Sequence, residues 1–142
     1  MKIKTILLIF VFATFFSNNS SAQSNEIKAR LIICSGLSDK NIPLDNLNEI
    51  NIKEGDKVYF YTKWFNLSKR SYIASIDFLD ADDNYLVQSS EHKFKPRKRT
   101  HNTWNSRKFR EIIIPEGIVK IRIILDGQTI LERRISVKYI HE

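Results

Sequence analysis

The side chains with the sharpest chemistry in this chain are one cysteine, Cys34, and three histidines, His92, His101 and His141. A thiolate–imidazole pair needs an exposed thiol beside an orienting base. Cys34 instead ends the apolar run Leu31-Ile32-Ile33-Cys34, which reads as a buried strand, and His141 stands next to the C-terminus. No Gly-x-Ser-x-Gly elbow offers a serine nucleophile, and the histidines show neither His-x-His nor His-x-x-x-His spacing. Asp80, Asp82, Asp83 and Asn84 cluster in one short segment and have the oxygen chemistry for Ca²⁺. Such a site needs about six to eight oxygens, and the EF-hand pattern is missing, so the segment reads as a solvated acidic turn. Nothing singles out a glycosidase-type carboxylate pair, and there is no glycine-rich phosphate loop. No catalytic residue, metal ligand or cofactor is therefore expected, and the domain is not expected to be an enzyme.

The segment that rises above this background is basic. Lys93, Lys95, Arg97, Lys98 and Arg99 lie between His92 and His101, grouped around Pro96, with Arg107 and Lys108 following. Proline interrupts a β-ladder, so Lys95 to Arg99 should form an exposed loop between strands. Clustered cations favour phosphate, sulfate and carboxylate groups, and arginine adds a planar fork that grips them bidentately. The expected partners are an anionic polysaccharide, a lipid headgroup or an acidic protein surface. The bland alternative is a solvated loop that only aids solubility. Trp104 either stacks on a ligand ring or packs inward; its spacing leaves both open. Nucleic acid is not expected, because no nucleic-acid fold signature is present and the chain carries an export signal.

That signal is the order of segments at the start of the chain. Lys2 and Lys4 precede an apolar run, Thr5 to Phe16, followed by the small and polar Ser17 to Gln23. This is the pattern of a secretory signal peptide, with cleavage expected after Ala22. The run is about a dozen residues, short of the roughly 20 that span a bilayer, and no later segment approaches that length, so no transmembrane segment is expected in the mature chain. Leu31-Ile32-Ile33-Cys34 superficially resembles a lipobox, but Ile33 is not small and Cys34 lies well beyond the apolar run, so lipidation is not expected. Export to the periplasm or the cell exterior follows. The lone cysteine allows no internal disulfide, and burial as a small hydrophobe suits it better. The net charge of +7 includes Lys2 and Lys4, so the mature part is left at +5 (7 − 2).

The elements that must position the basic segment follow from period-two alternation. Residues 23–142 have the length of one domain, and strands are expected over Ile27 to Cys34, Lys57 to Asn66, Ser71 to Leu79, Tyr85 to Ser90, Ile118 to Leu125 and Thr129 to Tyr139, with one or two more within Trp104 to Ile114. Val58, Phe60, Thr62 and Trp64 share one face of their strand, Tyr59, Tyr61, Lys63 and Phe65 the other; with aromatics on both, that strand should be central. Gly36 to Glu54 reads as an irregular crossing, Glu54-Gly55-Asp56 and Asp80 to Asn84 as turns, and Asp126-Gly127 as a tight hairpin. Arg133 falls on the inward phase of the last strand, where a bulge, an edge or an ion pair is expected.

The result is an all-β domain of about seven or eight strands in two antiparallel sheets, with a small β-barrel as the other option. Tyr61-Thr62-Lys63-Trp64, the Ile76 to Asp80 hairpin arm and the Leu125-Asp126-Gly127 hairpin resemble the immunoglobulin-like sandwiches of secreted bacterial proteins, over Lys57 to Tyr139. The chain lacks the paired cysteines of antibody-type domains. The resemblance implies a fold and not an activity. The functional expectation is an exported, non-catalytic binding or accessory domain that meets anionic envelope ligands through the basic loop. A structural subunit docking on another envelope protein through an exposed β edge is the alternative, with an enzyme on exported glycans behind it.

Overall fold

A computed structural model describes residues 25–89 and 91–142; the signal peptide expected over residues 1–22 and its expected cleavage point lie outside them. Strand β3 (Lys57–Phe65) shows how the sequence builds the fold. Val58, Phe60, Thr62 and Trp64 alternate inward and are buried, and β3 sits between β1 (Lys28–Cys34) and β7 (His101–Lys108) in a three-stranded antiparallel sheet. The second sheet runs β2 (Glu49–Ile52), β9 (Gln128–Tyr139), β8 (Gly117–Leu125), β4 (Tyr72–Asp80) and β5 (Tyr85–Gln88), with β6 (His92–Phe94) also on β4. First strand, third strand and β7 on one side, and β4, β8 and β9 on the other, is the strand distribution of an immunoglobulin-like sandwich. Phe60, Phe78 and Phe109 meet between the sheets, Phe60 and Phe78 edge to face at 5.2 Å. Such aromatic pairs add about 0.5–1.5 kcal/mol beyond their area burial.

The structure corrects the expectation at several places. Within Gly36 to Glu54 lies a strand, β2, whose Ile50 and Ile52 are buried between exposed Glu49 and Asn51. It pairs in parallel with β9, so the second sheet is mixed and not purely antiparallel. The Trp104 to Ile114 stretch does not stay extended: β7 ends at Lys108, and Ile113 and Ile114 both donate backbone N–H bonds to the Arg110 carbonyl. The apolar Ile112-Ile113-Ile114 run is thus a turn that buries Ile114 and leaves Ile112 92% exposed. The strand expected over Tyr85 to Ser90 is seen over Tyr85–Gln88, with Ser90 outside the described residues. Arg133 points along the inner phase as expected, and of the options there it takes the edge: β2 covers only Ser136 to Tyr139, so at Arg133 β9 is paired by β8 alone, without an ion pair among the described residues. Its guanidinium donates to the carbonyls of Leu47 (2.9 Å) and Leu31 (3.3 Å), tying β9 to the free side of β1. A register shift does occur in this ladder, between Ile123 and Ile124, some residues before Arg133.

The Asp126-Gly127 turn forms as its residue types require. Asp126 (φ 49°) and Gly127 (φ 79°) take successive left-handed conformations, which a two-residue hairpin needs to match the twist of its strands. At the opposite end of β9, the Tyr139 hydroxyl donates to the Ile114 carbonyl at 2.5 Å, and the Tyr139 N–H donates to Glu116. These two bonds pin the last strand to the β7–β8 connection. Burial, reinforced by Glu54, Glu111 and Glu116, pushes the Tyr139 phenol up to about 12. The unfolded phenol ionises near 10, so this contribution to stability is intact below about pH 10 and is lost as pH rises toward 12. Tyr139→Phe should lower stability by about 1 kcal/mol, with the Ile114 carbonyl left unpaired. It should also flatten the loss of stability between pH 10 and 12, as read by urea unfolding at stepped pH. An unchanged slope would show that another group carries the alkaline transition.

Candidate functional site: a basic end of the sandwich

Strand β6 belongs to the mixed sheet and β7 to the three-stranded one. Residues 95–100 must therefore cross between the sheets at one end of the sandwich. Both ends of the crossing are anchored by rings. Phe94 is buried against Trp64 (6.1 Å between ring centroids) and Tyr72 (5.6 Å), and His101 lies flat against it at 4.8 Å. Trp64 in turn donates its indole N–H to Thr103 on β7 at 2.9 Å. Pro96 is turned inward and buried, which leaves Lys95, Arg97, Lys98 and Arg99 exposed, with Lys93 exposed on β6. None of these five takes part in an ion pair among the described residues.

The loop does not stand alone. The Arg99 carbonyl accepts the Leu67 N–H at 2.9 Å, which docks the crossing on the β3–β4 connection. That connection contributes Lys69 and Arg70, and with Asn25, Asn66 and Arg99 they line an open cleft of about 480 Å³. Arg70 is already engaged: it bonds Asp126 at 2.7 Å and lies 3.8 Å over the Tyr72 ring. Asp126 is held below the usual carboxylate range, first by the Ile73 N–H and then by Arg70. Lys69 and Arg70 were passed over in the sequence, although Ser68-Lys69-Arg70-Ser71 is visibly a basic turn. What the sequence lacks is any statement that this turn shares an end of the molecule with Lys95 to Arg99.

Arg107 and Lys108, by contrast, are separated from the loop. They stand six and seven residues along β7 from His101, which at about 3.3 Å per residue is roughly 20 Å. Arg107 is half-buried on the inner phase, donating to the Gln88 carbonyl at 3.1 Å with its guanidinium 5.5 Å from the Phe78 ring. It closes the sandwich edge between β7 and β5. Lys108 is exposed and faces Lys57 across the ladder.

The other reactive side chains have local work. Cys34 is fully buried, and burial together with the nearby Asp45 charge pushes its thiol up. Cys34 pairs opposite Tyr59 and His101 opposite Trp64, so the two lie at opposite ends of the sheet, roughly 17 Å apart along β3. Asp80 organises its own turn: one carboxylate oxygen accepts the Asp82 and Asn84 N–H groups at 2.9 Å and the other accepts the Asn84 side chain at 3.0 Å. Asp83 bends back to Lys120 at 2.6 Å and Arg122 at 3.3 Å. The Lys120 side chain is only 7% exposed, so Asp83 supplies the counter-charge that its burial demands. Trp64 is core, whereas Trp104 is 45% exposed and stacks on Tyr61 at 6.3 Å.

No family model and no curated protein matches the chain. Among solved structures, an immunoglobulin-like protein from Pseudomonas aeruginosa is similar over 80% of this chain and 97% of its own, at 10% identity and a TM-score of 0.48. Pseudomonas fluorescens alkylpurine DNA glycosylase AlkC, bound to DNA containing an abasic site analog, matches over 80% of this chain but 30% of its own, at 9% identity and a TM-score of 0.48. A β-glucosidase from Listeria innocua in complex with glucose matches over 82% of this chain and 16% of its own, at 11% identity and a TM-score of 0.50. The chain spans a small part of those two enzymes, and likeness at such identities concerns the sandwich alone.

Proposed function

We propose that the chain is an exported, non-catalytic binding domain whose basic end holds an anionic envelope ligand. The observation that carries this reading is the set of exposed cations with no carboxylate partner among the described residues, Lys93, Lys95, Arg97, Lys98 and Arg99, gathered at one end with Lys69 and Arg70. The loop that bears four of them is braced at both ends by the Phe94–His101 stack and, close to its C-terminal end, by the Leu67–Arg99 backbone bond. A braced loop loses less freedom on binding than a loose one, so more of its electrostatic attraction is realised as affinity. Several unpaired cations on a fixed surface also raise the local concentration of anions before contact. The cleft beside Arg99, Lys69 and Arg70 is wide and open, and suits a polymer or a headgroup array better than an enclosed small molecule.

Binding of the purified protein to heparin and to vesicles containing anionic lipid should fall steeply with salt, because exposed ion pairs are screened within about 10 Å at 0.1 M. The Lys95, Arg97, Lys98 and Arg99 quadruple-alanine variant, checked by circular dichroism for folding, should lose about tenfold or more in affinity for both probes, a loss of about 1.4 kcal/mol or more. Equal affinity of the two proteins would demote the loop to a solvated surface and leave docking on another envelope protein through the free β7 edge as the standing alternative.

Acidity should tune the same site. His101 lies at the base of the loop and is held below the ordinary histidine value by burial and by His92. Its protonation adds positive charge beside the cations, and a bound anion favours the protonated form. Anion affinity should therefore rise as pH falls below about 6.5, the unperturbed histidine value. His101→Gln should reduce that rise, as measured by titration at stepped pH and constant ionic strength. A rise unchanged in the variant would assign the effect elsewhere.

A further inference from the structure

The outer face of the three-stranded sheet carries a second unpartnered positive surface, distinct from the loop in its residues. Alternation sends Leu31, Ile33, Val58, Phe60, Thr62, Trp64 and Thr103 inward, and thus sends the intervening residues of β1, β3 and β7 outward. The outward cations are Lys28, Arg30, Lys57, Lys63 and Lys108, and none of them is in an ion pair among the described residues. No Asp or Glu stands at any outward position of the three strands. The register makes this costly. Arg30 is directly opposite Lys63, and Lys57 directly opposite Lys108, two like-charge cross-strand pairs with no acid between them. Like charges placed directly opposite destabilise a sheet, and a single acidic replacement in either pair would relieve the repulsion.

Across the middle of this charged field runs one apolar row, Ile32–Tyr61–Trp104, whose members are direct cross-strand partners. Tyr61, the middle member, is 5% exposed, while Trp104, stacked nearly parallel to it (10°), is 45% exposed. The indole is therefore a supported flat platform open to solvent, with Asn102 and Ser106 as outward neighbours along β7, Lys63 diagonally across the ladder, and Lys108 roughly 13 Å further along the strand.

Building on the anionic-ligand reading of the loop, we propose that this face binds an acidic polysaccharide, with a sugar ring stacked on Trp104 and its carboxylate or sulfate groups held by Arg30, Lys63, Lys57 and Lys108. Charge complementarity selects an anion, and the platform selects a polymer whose rings present a C–H face to the indole over polyphosphate or an acidic peptide. A single open ring in the row, bordered by amide and hydroxyl groups, suits a saccharide. Single-stranded nucleic acid is gripped by several neighbouring aromatic platforms on which successive bases stack, and here the adjacent Tyr61 ring is covered. β7 starts where the loop ends, so one chain of saccharide can run from Trp104 past the neutral Asn102 and Thr100 to the loop cations.

The test compares the protein with Trp104→Ala, with Arg30→Ser/Lys63→Ser and with the loop quadruple-alanine variant, using oligogalacturonate, linear polyphosphate and oligothymidylate as probes. Trp104→Ala should weaken oligogalacturonate about tenfold, the size of one stacking contact, and leave polyphosphate within about twofold. Arg30→Ser/Lys63→Ser should weaken both and flatten the salt dependence, and should raise the melting temperature of the free protein as the repulsion is relieved. Loss confined to the loop variant, with Trp104→Ala binding oligogalacturonate like the parent, overturns the face and leaves the loop reading standing. Failure of the parent to bind any of the anions overturns both. Tighter, Trp104-dependent binding of oligothymidylate than of oligogalacturonate overturns the saccharide assignment in favour of nucleic acid.

Discussion

The burial of Phe94 is the constraint on which the rest of this end of the molecule depends. Its ring is packed between Trp64, Tyr72 and His101, which come from β3, β4 and β7. Those strands belong to different sheets, so one side chain fixes how the sheets meet. Burying a phenylalanine stabilises by about 1.5–3 kcal/mol, and the stack adds ring–ring contact on both faces. The chain must leave β6 at Phe94 and enter β7 at His101, and the six residues between have no partner strand. They become a loop because the two sheets cannot share a ladder there, and Pro96 turns inward to close the gap. The exposed cations are thus a consequence of core packing before they are anything else.

Much of this was legible in the sequence, for a specific reason. Where a strand is long and one of its faces is buried, the period of two survives, as in Lys57–Phe65 and Gly117–Leu125. Glu49–Ile52 has the same pattern, but four residues give only two buried positions, too few to stand out from a polar crossing. Ile112 to Ile114 misled in the opposite sense. Three isoleucines have high strand propensity, yet the backbone bonds to Arg110 and the burial of Ile114 alone are satisfied by a turn, and tertiary context overrides propensity. The phase and edge position of Arg133 follow from the alternation, but its partners are carbonyls of β1 and of the segment before β2, which no local pattern announces. The two tryptophans stand on opposite phases of paired strands, and only the β3–β7 register decides that Trp64 faces in and Trp104 faces out.

The same limit explains why the basic segment was only half read. Linear proximity joined Lys95 to Arg99 with Arg107 and Lys108, but an eight-residue strand carries the last two to the other end of the sandwich. Linear distance hid Lys69 and Arg70, which the Leu67–Arg99 bond brings alongside. Arg107 also shows that a cation need not be a ligand group: its guanidinium is spent on the Gln88 carbonyl and the Phe78 ring.

The distribution of acids separates structural charge from surplus charge. Asp83 neutralises Lys120 and Arg122, Glu132 pairs with Arg122, Asp126 pairs with Arg70, and Asp80 serves its own turn. These carboxylates sit on the mixed sheet and its hairpins. The three-stranded sheet and the β6–β7 crossing have none at their outward or loop positions, and their cations repel one another across the ladder at Arg30–Lys63 and Lys57–Lys108. A domain that merely needed solubility would gain as much from mixed charge at lower electrostatic cost. Three strands without a single acid, with Asp45 beside Cys34 at one end, and an adjoining loop braced by buried rings, retain an unsatisfied field at a fixed geometry. Surplus positive charge of that kind lowers the stability of the empty protein, and a bound anion would offset that cost, as linkage requires of any ligand that prefers the folded state.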